Sequence, residues 1–341
     1  MPNQNEPSQM NLPTIAEINR ALAPYQKAKN STAVWQLLNS LVPYLLLWVG
    51  MALAIRVSYA LTFGLAVIAS GFLVRLFIIF HDCGHNSFFP STRWNKAVGF
   101  WLGVLVFTPG EQWWHAHAIH HATSGNLDKR GTGDVLTMTV AEYRASSPLA
   151  RIGYRLFRTP LVMFGLGPIY MFLILHRLTR PVFGKKETLS VILTNLAILA
   201  LAVAISLLIG WQAYLLIQLP VILMGGAAGI WMFYVQHQYG DVYWERTKEW
   251  NYMASAMLGA SYYRLPALLQ WFSGNIGFHH LHHLSPRIPN YLLPNAHREV
   301  DLFRKWTRVI GVRESLSLTR LKLWSESEHR MVEFGGLGPN S

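Results

Sequence analysis

Four apolar runs interrupt an otherwise mixed chain, at 34–55, 58–80, 189–210 and 211–235. Each is longer than the roughly 20 residues a helix needs to cross the hydrocarbon of a bilayer. Four transmembrane helices are therefore predicted. Two further apolar stretches, 97–109 and 161–175, have 13 and 15 residues. These are too short for comfortable spans and suit re-entrant or interfacial segments. Ahead of the first run, Thr14-Ile-Ala-Glu17 has the form of a capping box and should open a short helix.

Composition agrees with that pattern. Charged residues make up 13% of the 341 and hydrophobic ones 52%, against about 25% charged in an average soluble domain. The net charge is +12. The cations form no long basic run and flank the apolar spans, so anionic lipid headgroups, and no nucleic acid, are the expected neighbours. Lys and Arg number 12 between His81 and Thr188 and 12 after Val235, while the first hairpin connection has only Arg56 and the second none. The positive-inside rule then puts both large polar regions and the termini in the cytoplasm, as in a bacterial inner-membrane protein. Arg75, inside the second run, is expected to snorkel to the headgroups. The polar N-terminus lacks a signal-peptide core, so no cleaved leader is expected. The single cysteine, Cys83, excludes an intrachain disulfide.

The expected fold class is an all-α integral membrane protein. It has four transmembrane helices, short re-entrant or interfacial helices and a cytoplasmic histidine-rich cap. Residues 1–33 form an N-terminal segment, 34–325 one membrane domain and 326–341 a tail, of which 334–341 (FGGLGPNS) is expected to be disordered.

The chemistry lies in the histidines. His81 and His85 are spaced i, i+4; His117, His120 and His121 are i, i+3, i+4; His279, His282 and His283 repeat that pattern. On a helix those offsets share one stripe. Three such boxes beside span ends are poorly explained as core packing. His237, at the inner end of the fourth span, is a ninth candidate. Nine imidazoles exceed the four ligands of one zinc and fit two metal ions with four or five nitrogens each. Imidazole alone does not choose among Zn, Cu, Fe and Ni. Neutral ligands call for carboxylates behind them, and Asp82, Asp134, Asp241 and Glu245 are the candidates. His115 and Cys83 point off the ligand stripes, His280 is assigned a supporting or structural role, and His176, His297 and His329 are isolated.

The stretches HDCGHNSFF (81–89), HAIHHATSGNLDKRGTGDV (117–135) and GNIGFHHLHHLSPRIPNY (274–291) resemble the membrane fatty acid desaturases, especially bacterial acyl-lipid desaturases of the Δ12 (omega-6) type. The likeness runs from about residue 34 to 325. It implies that His81, His85, His117, His120, His121, His237, His279, His282 and His283 are catalytic metal ligands. It further implies two non-heme iron ions, O2 as co-substrate, a lipid acyl chain as substrate, and a ferredoxin or b-type cytochrome as external electron donor. The product would be a cis double bond, as in conversion of oleoyl to linoleoyl chains. Acyl-CoA desaturases have a longer first-box spacing, and an Asn where this chain has Phe233; both departures favour a lipid-linked substrate. Trp113, Trp114 and the run Trp231–Tyr234 are expected to anchor at the interface or to line the acyl passage.

Other diiron oxidases on the same scaffold remain open: Δ9 or omega-3 desaturases, hydroxylases and carotenoid-modifying enzymes. A zinc hydrolase would need a base such as that of HExxH, which the chain lacks. A metal transporter should place its ligands near the bilayer midplane rather than at span ends.

Overall fold

A computed structural model describes residues 12–180 and 182–336. The capping box forms as expected: Thr14 N–H donates to Glu17 Oε2 at 2.8 Å and Glu17 N–H donates back to Thr14 Oγ1 at 3.3 Å, opening α1 (Ile15–Leu22). The apolar runs become α2 (Asn30–Ala54) and α3 (Tyr59–Gly84), then α8 (Lys185–Ile209) and α9 (Trp211–His237), four helices long and apolar enough to cross a membrane. Between the two hairpins lie α4 (Thr92–Leu105), α5 (Gly110–Thr123), α6 (Val140–Ala145) and α7 (Pro148–Phe157). After α9 come α10 (Tyr252–Leu258), α11 (Ala267–Phe272) and α12 (His279–Leu284).

Helix α3 is the axis of the bundle. Its Ala66, Ala69, Leu73, Leu76, Ile79 and Phe80 pack with Tyr44 and Met51 of α2, Leu102 of α4 and Ile217, Val221 and Ile222 of α9. Burial weakens away from this axis: half of the most apolar window of α3 is buried, against 6% for α8, which presents its leucines to lipid. The turn between α8 and α9 is a single residue, Gly210 at φ +89°, a left-handed conformation that favours glycine. Where α3, α4 and α5 converge, the Trp114 indole fills the space beside Gly84 and Gly99. A Cβ built on Gly99 would lie 2.6 Å from that ring.

The shorter apolar stretches behave as their lengths predict. The first lies in α4, of 14 residues. The second forms two π-helical turns, Leu161–Leu166 and Ile169–Ile174, and the helical stretch containing them meets α7 at 64°. A bend of this size suits a re-entrant segment better than a straight span. The C-terminal ends of α3 and α9 meet through their histidines, and the tight α8–α9 turn then requires α8 to start at the end where α3 stops.

Small strands tie the cap together. β1 (Met138–Thr139) runs parallel to β4 (Leu323–Ser325), which pairs antiparallel with β5 (Arg330–Val332); β2 (Tyr262–Arg264) runs parallel to β3 (Val309–Gly311). The β4–β5 pairing carries ordered structure past residue 325. Phe334 packs on Tyr143 at 5.3 Å between ring centroids, so the disorder expected of 334–341 does not hold at its start, because an aromatic found a pocket in the cap. Residues 337–341 lie outside the described residues.

Arg75 corrects another expectation. It does not snorkel: the side chain is buried, with Nε donating to Ser40 Oγ at 3.0 Å and the guanidinium 4.0 Å from the Trp271 ring centroid. It also donates to the Trp271 carbonyl, capping the last turn of α11. A cation held by two oxygens and a ring face need not reach the headgroups.

Candidate metal centre

Each box sits on a helix end or a short helix, and the helices aim the rings at one volume. His81 is in the last turn of α3 and His85 follows it. His117, His120 and His121 lie on α5, His237 closes α9, and His279, His282 and His283 lie on α12. The nine form two sets: His81, His85, His117, His121 and His282 in one, His120, His237, His279 and His283 in the other. Within each set the nitrogen donors lie within 4.8 Å of one another.

The division refines the stripe argument. The i, i+4 pairs 81/85, 117/121 and 279/283 stay together, whereas the i+3 members, His120 and His282, cross to the other set. Successive residues on a helix diverge by about 100°. His120 and His121, or His282 and His283, can therefore straddle two centres. Spacing marked the residues but not their partition.

Ring-nitrogen separations describe the cavity shape. Nε2 atoms approach at 3.0 Å for His81 and His282, 2.9 Å for His282 and His121, and 3.1 Å for His121 and His117. In the smaller set the values are 3.2 Å for His120 and His237, 2.9 Å for His237 and His279, and 3.1 Å for His283 and His279. With metal–nitrogen bonds of about 2.1 Å, ligands at 90° stand about 3.0 Å apart and tetrahedral ones about 3.4 Å. Both sets thus hold neighbouring nitrogens at separations that one shared ion would allow.

Tautomers make the same point. His237 Nδ1 lies 2.9 Å from the Gly259 carbonyl, which can only accept, so this nitrogen carries the proton. His120 Nδ1 lies 2.7 Å from Asp134 Oδ1, and His81 Nδ1 lies 2.9 Å from Asp82 Oδ1. With both Nδ1 atoms engaged, the Nε2 atoms of His120 and His237 face one another at 3.2 Å, a separation that two nitrogens sharing one cation would have. His85 Nε2 is buried without a hydrogen-bond partner. Burial, reinforced by neighbouring imidazoles, pushes the pKa values of His117, His121, His279, His282 and His283 well below the ordinary histidine value. They are held neutral, the form that ligates metal. The residues present fit two metal ions.

A family model described as fatty acid desaturase matches residues 57–308. A fatty acid desaturase of Bacillus subtilis (strain 168) is 48% identical over 318 residues, covering 93% of this chain and 90% of that one. The chain belongs to the fatty acid desaturase family. More distant similarity reaches plant enzymes. A temperature-sensitive sn-2 acyl-lipid omega-3 desaturase (ferredoxin) of Arabidopsis thaliana chloroplasts is 25% identical over 285 residues, covering 73% of this chain and 62% of that one. An endoplasmic-reticulum omega-3 fatty acid desaturase of Vigna radiata is 27% identical over 235 residues, covering 65% and 60%. The match thus spans less than two thirds of either plant chain.

The other candidates in this desaturase sort cleanly. Asp82 and Asp134 back ligand-set histidines, but Asp241 faces Arg308 at 3.5 Å and Glu245 faces His329 at 3.2 Å. Both acids are paired outside the two sets. Cys83 is buried in the bundle core and His115 pairs with Glu187 at 2.9 Å. His280 is buried beside His297, with ring centroids 5.3 Å apart, and belongs to neither set. Trp113 is no interfacial anchor: it stacks on His117 with centroids 4.6 Å apart. Of the 231–234 run, Phe233 packs on His120 and His237 at 5.2 and 5.0 Å. Trp231 and Tyr234 instead hydrogen-bond to Tyr263 and Leu318. The Gly259 carbonyl was invisible to sequence reasoning, since a backbone acceptor has no residue signature.

Proposed function

We propose that the two sets hold two iron ions, and that the enzyme introduces a cis double bond into acyl chains of membrane lipids. The position implied by the box resemblance is Δ12, converting oleoyl to linoleoyl chains. The observation that carries the reading is the pair of histidine sets whose ring nitrogens converge on two neighbouring volumes. Imidazole donors suit iron among other metals, and oxidation of an unactivated methylene calls for a redox one.

Bound iron would supply the O2-dependent oxidation that an unactivated methylene requires, which side chains alone cannot perform. Overall, the acyl chain loses two hydrogens from adjacent carbons. O2, two electrons and two protons complete the balance, giving two waters. The chain's own residues do the rest. Asp82, Asp134 and the Gly259 carbonyl fix His81, His120 and His237 with Nε2 free. Trp113 and Phe233 put apolar rings against the two sets, excluding water from their flanks. The basic polar regions favour a site at the cytoplasmic surface by the positive-inside rule, where a reduced ferredoxin or b-type cytochrome could reach it. An acyl tail enters laterally from the bilayer.

The test is expression in a host that makes oleoyl but no linoleoyl lipids, with double bonds located by mass spectrometry. Membranes are then assayed with oleoyl-phospholipid and oleoyl-CoA in parallel, exchange between them being blocked. New Δ12 bonds on phospholipid are expected. Bonds only on the CoA ester would overturn the lipid substrate, and bonds at another carbon would overturn the Δ12 position.

A further inference from the structure

The carboxylate behind His81 is itself gripped from its far side. Asp82 is 1% exposed. While its Oδ1 faces His81, its Oδ2 accepts the Asn290 backbone N–H at 2.7 Å and the Asn290 Nδ2–H at 2.8 Å. Asn290 is fully buried, and each of its polar atoms has a partner. Its Oδ1 accepts from Gln36 Nε2 at 2.7 Å, and its carbonyl accepts from Asn275 Nδ2 at 3.2 Å. Gln36 lies on α2, where its carbonyl accepts from Ser40 Oγ at 2.6 Å, the hydroxyl that receives Arg75 Nε. A buried polar strip therefore runs from Arg75 inside the bundle to His81.

We propose that Asn290 is a positioning residue for the five-histidine set, acting through Asp82 and His81. Two N–H donors on one oxygen offset the burial of the carboxylate and fix its rotamer. The other oxygen is left for His81 Nδ1. That contact sets the tautomer and raises the basicity of Nε2 toward the metal. Among the described residues the four-histidine set has no counterpart, since Asp134 Oδ2 is buried with no partner among them. Asn290 also explains why the segment after the third box closes against the first: its side chain links α2, α3 and the loop beyond α12 at one point. The inference rests on the proposed two-metal reading.

Purified apoprotein is titrated with Co2+ against a chromophoric chelator, for wild type, Asn290→Ala, Asn290→Asp and Gln36→Leu. Wild type should bind two ions. Asn290→Ala should weaken one of them by about 10- to 100-fold and leave the other within about twofold. The near-isosteric Asn290→Asp, which turns a donor into an acceptor facing Asp82, should do the same without leaving a cavity. It therefore reads the proposal if the alanine variant fails to fold. Gln36→Leu, which leaves both donors to Asp82 in place, should weaken that ion by less than about tenfold. The Co2+ absorption bands of the weakened ion should shift in step. Equal weakening at both ions, or none at either in a variant with a wild-type melting temperature, would overturn the role of Asn290. Fewer than two ions in wild type would overturn the two-metal reading itself.

Discussion

The two histidine sets are near neighbours built on different plans. The five-histidine set draws on α3, α5 and α12 and is backed by a carboxylate whose two oxygens are both engaged. The four-histidine set draws on α5, α9 and α12; behind it stand a backbone carbonyl and a carboxylate with one idle oxygen. Phe233 closes one flank of the smaller set, and Trp113 stacks on the larger. On the two-metal proposal, one histidine fewer and a carboxylate with one idle oxygen would make the four-histidine set the more adaptable of the two, with room for an exchangeable ligand. The larger set would be nearer to saturation, and its Asp82 is tied to the bundle axis.

The largest test of that contrast is to remove one ligand from each set. His282→Ala and His283→Ala differ by one position, yet the first should empty the five-histidine set and the second the four-histidine set. Both should abolish desaturation while membrane insertion stays intact. Metal analysis should fall from about two ions per chain to about one in each variant. Loss of both ions in either variant would show that the sets are one cooperative site.

A smaller effect should come from the carboxylates. Asp82→Asn and Asp134→Asn each weaken the hydrogen bond that orders one histidine, a change that typically costs about 10- to 100-fold in metal affinity or activity. The two should differ in which ion is lost. Asp82→Asn should also lower the melting temperature more, since it sets an amide against the two N–H donors of Asn290. Equal melting temperatures would remove the claim that one set is anchored more firmly.

Much of this was legible in the sequence. Span lengths, the capping box and the eight boxed histidines follow from period and spacing, because helices express these as simple offsets, and His237 follows from its place at a span end. Three things did not. The partition of His120 and His282 across sets depends on where two helices meet, which spacing within either one does not encode. The anchoring of Arg75 depends on α11, whose short and partly exposed sequence has no periodic signal. Asn290 stood inside a recognisable stretch, but its partners are 208 and 254 residues away. Conversely, Asp241 and Glu245 looked like equals of Asp82, and only tertiary structure pairs them with Arg308 and His329 instead of with the sets.

The smallest expected effect sharpens the contrast from outside the sets. The loop from Gly125 to Asp134 carries the carboxylate of the four-histidine set, and its start is fastened by Asp128. Asp128 accepts from the Thr247 N–H at 2.9 Å and pairs with Arg246 at 2.8 Å. Those contacts, the Thr247 N–H foremost, lower its pKa to about 2. A carboxylate depressed in the folded state stabilises above its unfolded value, near 3.8, and loses that contribution as pH falls toward the folded value. The clasp is therefore fully formed throughout the neutral range. Asp128 is exposed, and surface ion pairs are worth little. Asp128→Asn should thus reduce retention of the four-histidine ion by no more than about threefold at pH 7, with no change at the five-histidine ion. Wild type and variant should converge only as pH falls through about 2, where the native carboxyl itself becomes protonated. The measurement is Co2+ retention against a chelator at neutral pH, paired with acid unfolding. A loss at the five-histidine ion would mean that the two sets share more of their support than the structure provides.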